Sequence, residues 1–279
     1  MKIYEFGDAG KPVIMLFPGT CCYWKTNFGH VLPNLQKFFY TAVVSYSGFD
    51  ETENTTFVSE LDETEKIEAY IKEKFQGRIF AAYGCSLGGS VVSLLVGRKN
   101  IHIDHAIIGS SDMDQAPKWL AKMETAMVMP LFYPFLTGKE NSRMEKMFNK
   151  KMNQGDEKEA DYMKKFMEVM GRDSGIDFSF ISKDSVRNQF CTDLYTKVGE
   201  HISAPGTVIH VFMPGKWVKN IWLVIRNTLP TRISANSICG TKSCSWMRMS
   251  GQTKSARHAE LRSRTYKTGN QNSYHKDTV

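Results

Sequence analysis

The sequence predicts an α/β protein: a mostly parallel sheet flanked by helices, with a helical insertion late in the chain. Three observations predict it. Short apolar segments of strand length alternate with helical periods from residue 12 to residue 109, the pattern of parallel strands joined by crossover helices. One such strand, Arg78–Ala82, turns directly into an apolar helix through Tyr83-Gly84-Cys85-Ser86-Leu87-Gly88-Gly89. Residues 115–198 hold one helical period after another, with no convincing strand before the apolar run Thr207–Phe212.

Taken in order, Lys2–Phe6 reads as an edge strand and Gly7–Lys11 as a turn. Pro12–Phe17 is a buried strand, followed by the loop Pro18-Gly19-Thr20-Cys21-Cys22-Tyr23-Trp24. Asn27–Phe38 fits a helix with Phe28, Val31, Leu32, Leu35 and Phe38 inward. Thr41–Tyr46 is the next strand, and Gly48–Thr56 a polar loop. Glu60–Phe75 has a helical period that puts Leu61, Ile67, Ile71 and Phe75 inward and its acidic residues toward water. His102–Gly109 is a further strand, with His102 and His105 read as strand-start or surface residues. The insertion shows helical spacing in Trp119–Met129, Met144–Met152, Tyr162–Met170 and Val186–Val198. The expected division is a first part of the core over 1–114, a helical cap over 115–198, a core strand in 199–212 and a basic tail over 213–279.

The chemistry concentrates at Gly84-Cys85-Ser86-Leu87-Gly88. A Gly-x-Ser-x-Gly corner between strand and helix is the nucleophile-elbow pattern. Gly84 and Gly88 leave room for a tight turn that lifts the Ser86 hydroxyl clear of the sheet. The helix behind offers unpaired N–H groups, so that of Leu87 can stabilise an oxyanion. The plain alternative is a chance pentapeptide in a glycine-rich turn.

On these residues, positions 1 to about 212 resemble the alpha/beta-hydrolase superfamily, of the esterase/lipase-like kind with a helical cap. The resemblance implies a Ser–acid–His triad in that chain order and an oxyanion hole shared with the loop after an earlier strand. That loop often begins His-Gly in the superfamily and here reads Pro18-Gly19. The chemistry needs a backbone N–H rather than a ring, so Thr20 or Cys21 can supply the second donor. Asp112 or Asp114, at the carboxyl end of the His102–Gly109 strand, is placed for the acid. Helix capping ahead of Pro117 is the competing role for Asp114. Met123, Met127, Met129, Phe132, Tyr133, Phe135, Met163, Phe166, Met167 and Met170 would make an adaptable lining for an apolar acyl group; core packing explains most of them singly.

Composition narrows the classes. Apolar content of 42% and charged content of 23% fit a globular domain with a sizeable core. No run of 18 apolar residues exists, so no membrane span is expected, and Met1–Phe6 enters a strand without a signal peptide. Six cysteines (21, 22, 85, 191, 239, 244) show neither metal-ligand spacing nor a disulfide framework, which points to a reducing cytoplasm. Cys85 reads as a small packing residue beside the nucleophile. No phosphate loop or paired metal ligands occur, so no cofactor and no metal are expected. The expected partner is a small-molecule ester, with no nucleic acid.

After Phe212 the character changes. Residues 1–200 carry 24 Lys and Arg against 27 Asp and Glu, whereas 201–279 carry 12 against 2. Of the last 67 residues, 20 are Ser, Thr or Asn, a composition too polar for a continued core. Three readings stay open: a disordered basic tail, an extension that binds nucleic acid, and a segment read out of frame. Back-translated from the third base of the Phe212 codon, the chain to Trp222 admits Tyr-Ala-Arg-Lys-Met-Gly-Glu-Lys-Tyr-Leu, a strand end and a charged helix. The same frame across Ser237–Met247 admits Gln-His-Met-Arg-His-Glu-Glu-Leu-Leu, a histidine opening an amphipathic helix. His210 sits inside a strand, and His258 and His275 sit in this tail, so the chain as written offers no convincing general base.

The expectation is therefore a serine hydrolase of carboxylic esters with an apolar acyl group, acting through an acyl-enzyme on Ser86 and impaired if the histidine is lost. The alternatives are a non-catalytic binding protein on the same fold, or an interaction protein with an anion-binding tail.

Overall fold

The computed structural model describes residues 1–111, 116–138, 143–154, 157–171, 174–199 and 202–212. Among the described residues six strands form one sheet: β1 (Lys2–Phe6), β2 (Val13–Phe17), β3 (Tyr40–Ser45), β4 (Arg78–Cys85), β5 (His102–Gly109) and β6 (Val208–Phe212). Their spatial order is β1-β3-β2-β4-β5-β6. β1 pairs antiparallel with β3, and every other pairing is parallel. Each expected strand is present. The inner strands β2, β3 and β4, covered on both faces, are apolar along most of their length and so stand out in sequence, whereas edge strand β1 carries Lys2 and Glu5 and is half-buried throughout.

Between β2 and β3 the expected single helix is broken. Trp24–Phe28 (α1) and Leu32–Leu35 (α2) are separate short helices. Gly29 closes α1 by donating its N–H to Lys25 O at 2.8 Å, and Pro33 restarts the chain in the first turn of α2. The break turns Phe38 outward, 68% exposed, where a continuous helix would have buried it.

Helix α3 (Glu60–Phe75) has the expected ends. Ser59 Oγ accepts from the Asp62 N–H at 3.1 Å, and left-handed Gln76 ends the helix. Its faces differ from expectation: Leu61 is exposed while Glu60, Glu63 and Glu68 are buried. Two of these acids are inside because partners meet them there. Glu63 accepts from Lys66 Nζ at 2.9 Å and from the Ser47 N–H at 3.1 Å. Glu68 accepts from Arg98 Nε at 2.8 Å and Asn100 Nδ2 at 2.9 Å. Arg98 ends α4 (Leu87–Arg98), so these bonds tie α3 to the helix behind Ser86.

Among the described residues four helices lie between β5 and β6 in the chain: α5 (Lys118–Leu136), α6 (Arg143–Gln154), α7 (Glu157–Val169) and α8 (Lys183–Tyr195). α5 rests on α8 through Phe132 and Phe190, edge to face at 4.8 Å, and on α6 through Phe135 and Phe148 at 5.4 Å. α8 is bonded to the sheet layer. Ser185 Oγ accepts from the Phe57 N–H at 3.2 Å, and Asn188 Nδ2 donates to Phe57 O at 2.9 Å. Residues 213–279 lie outside the described residues, as do the expectations for them.

Candidate active site

Ser86 occupies the corner between β4 and α4 with φ 53° and ψ −120°. This is a conformation that a residue with a Cβ rarely adopts, at a cost of order 1–3 kcal/mol. The surroundings enforce it. The Ser86 N–H donates to Gly109 O on β5 at 2.8 Å, while Ser86 O accepts from Gly89 at 2.7 Å and Ser90 at 3.3 Å. The two glycines are steric requirements: a Cβ on Gly84 would stand 1.9 Å from Gly88 O, and one on Gly88 would stand 2.1 Å from Phe17 O. The corner is therefore jammed against the end of β2.

The loop that leaves β2 meets the serine there. A Cβ built on Gly19 would lie 3.6 Å from Ser86 Cβ and 3.3 Å from Cys85 O. The Gly19 N–H donates to the buried Asn27 Oδ1 at 3.1 Å. The Cys22 N–H closes a turn on Gly19 O at 3.0 Å, with Cys21 left-handed at φ 57°. Helix α8 holds this turn from the other side. Thr20 Oγ1 donates to Asp193 Oδ2 at 2.8 Å, and the Cys21 N–H donates to Gln189 Oε1 at 2.5 Å. The Cys21 N–H is thus committed, whereas the N–H groups of Thr20 and Leu87 have no acceptor among the described residues. Gln189 and Asp193 were not singled out from sequence. The available signal was two polar residues four apart on a helix face that is otherwise inward, with Val186 and Thr192 buried beside them.

Burial decides the state of the nearby thiols. It raises Cys22 to about 12 and Cys85 to about 11, and lifts Cys21 well above the usual thiol range. All three are neutral at physiological pH, which leaves the Ser86 hydroxyl as the group at this corner with nucleophilic potential.

The carboxyl ends of three strands line up beside Ser86, since Cys85, Gly109 and Phe212 share one register line. Ser110 is left-handed at φ 51°, and its N–H donates to Phe212 O at 2.8 Å. Ser111 closes against α4 through Ser90, Oγ to Oγ 3.1 Å. Asp112 and Asp114 follow directly and lie outside the described residues.

No described histidine hydrogen-bonds Ser86. His105 Nδ1 and His210 Nε2 face each other at 3.2 Å within the sheet, back from its carboxyl edge. Burial first, then His105, lowers the pKa of His210. His102 sits at the opposite end of β5 on Asp104 at 2.9 Å. His30 is exposed after α1. His201, His258 and His275 lie outside the described residues.

Of the residues expected to line an acyl pocket, Met129, Phe132, Phe135 and Met170 are buried. Tyr133 and Met167 pack partly against the same core. Met123 and Met127 are exposed, and the side chains of Met163 and Phe166 lie outside those described. A cavity of about 620 Å³ bordered by Lys72, Lys99, Asn100 and His102 opens at the amino end of β5, remote from Ser86. Among the described residues, no group of three or more His, Cys, Asp or Glu is placed to hold a metal ion. None of their helices is long and apolar enough to cross a membrane.

Solved structures share this architecture. An alpha/beta hydrolase family protein from Desulfitobacterium hafniense superposes with a TM-score of 0.63 at 15% identity, over 83% of this chain and 88% of that one. The chain has the alpha/beta-hydrolase fold. A structure from a study of carboxylesterases of Nitrososphaera gargenis matches over 95% of this chain and 93% of its own, with a TM-score of 0.57 at 12% identity. A thermophilic esterase from Thermogutta terrifontis matches over 82% and 81%, with a TM-score of 0.55 at 14% identity. No family model matches the sequence, and no curated protein matches it.

Proposed function

We propose that the protein is a serine hydrolase of carboxylic esters with an apolar acyl group, in which Ser86 forms an acyl-enzyme. The observation that carries this reading is the Ser86 backbone at φ 53° and ψ −120° between β4 and α4. A fold keeps a strained residue where its side chain must be aimed. The Leu87 N–H and the Thr20 N–H are the two donors assigned to the oxyanion, with Gln189 and Asp193 holding the Thr20–Cys21 turn in place. Ser86 Oγ attacks the ester carbonyl, its proton passes to a general base, the alcohol leaves, and water resolves the acyl-enzyme. Asp112 is the proposed acid of this relay. Residues 115–198 are the proposed cap, and the buried Met129, Phe132 and Met170 make it suited to an apolar chain.

The base is the weak point of the chain as written, since none of the described histidines hydrogen-bonds Ser86. A non-catalytic binding protein on the same fold is the second reading, and that observation favours it. A fluorophosphonate probe together with short- and medium-chain nitrophenyl esters distinguishes the two. The expected outcome is a covalent adduct on Ser86 that Ser86→Ala removes, with medium-chain esters preferred to acetate. Labelling undiminished in Ser86→Ala would overturn the assignment.

A further inference from the structure

We propose that the outer face of α5 is a docking surface for a bilayer containing anionic phospholipid. α5 is apolar on both sides. Its inner face, Ala121, Thr125, Met129, Phe132 and Phe135, is buried against the rest of the fold. Its outer face repeats Trp119, Met123, Met127 and Leu131 at every fourth position, and these are 68%, 48%, 68% and 41% exposed. At 100° per residue the four cover about 120° of the helix surface, with exposed Pro130 between them, exposed Ala126 just outside the Trp119 edge, and no charge inside the arc. A helix of this kind requires a cover, and water is a poor one.

The flanking charges say which cover. Lys122, exposed, lies about 60° outside the arc on the Trp119 side, and Lys118, further round, lies over the Tyr195 ring of α8 at 5.1 Å. The acid of α5, Glu124, stands at the opposite border and is half-buried. The adjoining α6 exposes Arg143, Lys146 and Lys150 along one side, with Met147 among them 49% exposed; Glu145, on the same helix, is half-buried. An apolar stripe holding a tryptophan and bordered by lysines whose stems can lie along it is the composition that settles at a bilayer interface. The positive rim is complementary to acidic headgroups. A second copy fits less well, because an antiparallel twofold pairing of α5 across this face would bring the basic edges together. The surface lies outside the residues assigned to ester chemistry and stands whether or not Ser86 is a nucleophile.

The test is flotation of the full chain with vesicles of phosphatidylcholine, with and without a minority of phosphatidylglycerol. The proposal expects recovery with the anionic vesicles, and quenching of Trp119 by brominated lipid, read as the difference from Trp119→Phe. Met123→Ala with Met127→Ala should weaken binding about tenfold or more while leaving the melting temperature little changed, since alanine keeps the helix propensity and Met127 is mostly in water. Lys122→Glu should weaken it further at low salt. Binding that survives the double substitution would overturn the proposal and move the attraction to the basic residues 213–279. Absence of flotation, with a dimer that the double substitution dissociates, would overturn it in favour of a second copy.

Discussion

Glu60 shows how one side chain sets a pH response. It begins α3, is wholly buried, and faces Asp193 and Thr196 of α8 and its C-cap, with Tyr46 on the adjoining strand end. Burial first, then the Asp193 charge, push its pKa well above the carboxylate range, while the Thr196 hydroxyl acts the other way. The folded protein therefore holds a proton that the unfolded chain releases above its ordinary pKa of 4.5. Stability from this group is full below that value and is lost as pH rises through the folded pKa. Glu60→Gln should accordingly raise the melting temperature at pH 7 and above, with the gain closing below about pH 4.5. A melt series across pH checks it, and a substitution that destabilises at pH 8 would contradict the assignment. Nothing in the sequence marked this residue. A helix-starting glutamate ordinarily serves the helix dipole from water, and its burial depends on α8, more than a hundred positions later.

Elements were legible where one local rule decided them. The inner strands β2, β3 and β4 were readable because they are apolar along most of their length, and α3 because Ser59 and Gln76 bracket a helical period. The Ser86 corner was readable because its glycines are demanded locally. Apolar spacing alone predicts one helix where Gly29 and Pro33 make two, α1 and α2. The buried acids of α3 are not legible locally, because the partners of Glu68, Arg98 and Asn100, lie about thirty residues further along the chain. The strained corner at Ser86 and the steric need for Gly84 and Gly88 followed from one pentapeptide. Gln189 and Asp193 did not, since their use depends on where α8 lands. The same contrast predicts how glycine substitutions behave. Gly84→Ala and Gly88→Ala meet backbone and should each cost about 1–3 kcal/mol or more. Gly97→Ala, within α4, finds Val198 O at 3.5 Å and should stabilise by about 0.5–1 kcal/mol. Chemical denaturation of the three variants reads this ordering, and an equal loss at Gly97 would refute it.

For the whole molecule, the question is how the sheet ends. β6 pairs with β5 alone among the described residues, and its other edge would be an open row of backbone donors and acceptors. The alternative frame after Phe212 begins as a strand end and a charged helix, and later places a histidine at the start of another helix. A protein carrying that frame should melt more cooperatively than the chain as written. It should also hydrolyse esters faster by orders of magnitude, since losing a triad member leaves only about 10³–10⁴-fold over water. Measuring both proteins side by side decides it: equal activity and equal cooperativity would show the present tail to be the functional one.

The hydrogen bonds from α8 to Phe57, Thr20 and Cys21 also divide the helical insertion by its order of opening. By chain order α8 belongs with α5–α7, yet its amides should exchange with solvent on the timescale of the sheet. α6, which exposes Arg143, Lys146, Met147 and Lys150 and buries Phe148, should open earlier and alone. Hydrogen exchange resolved by segment would show α8 protected together with β4, and α8 exchanging in step with α6 would refute the division. Displacement of the outer helices would then leave the Thr20–Cys21 turn beside Ser86 undisturbed, so the exposure of the serine and the shape of that turn can change independently.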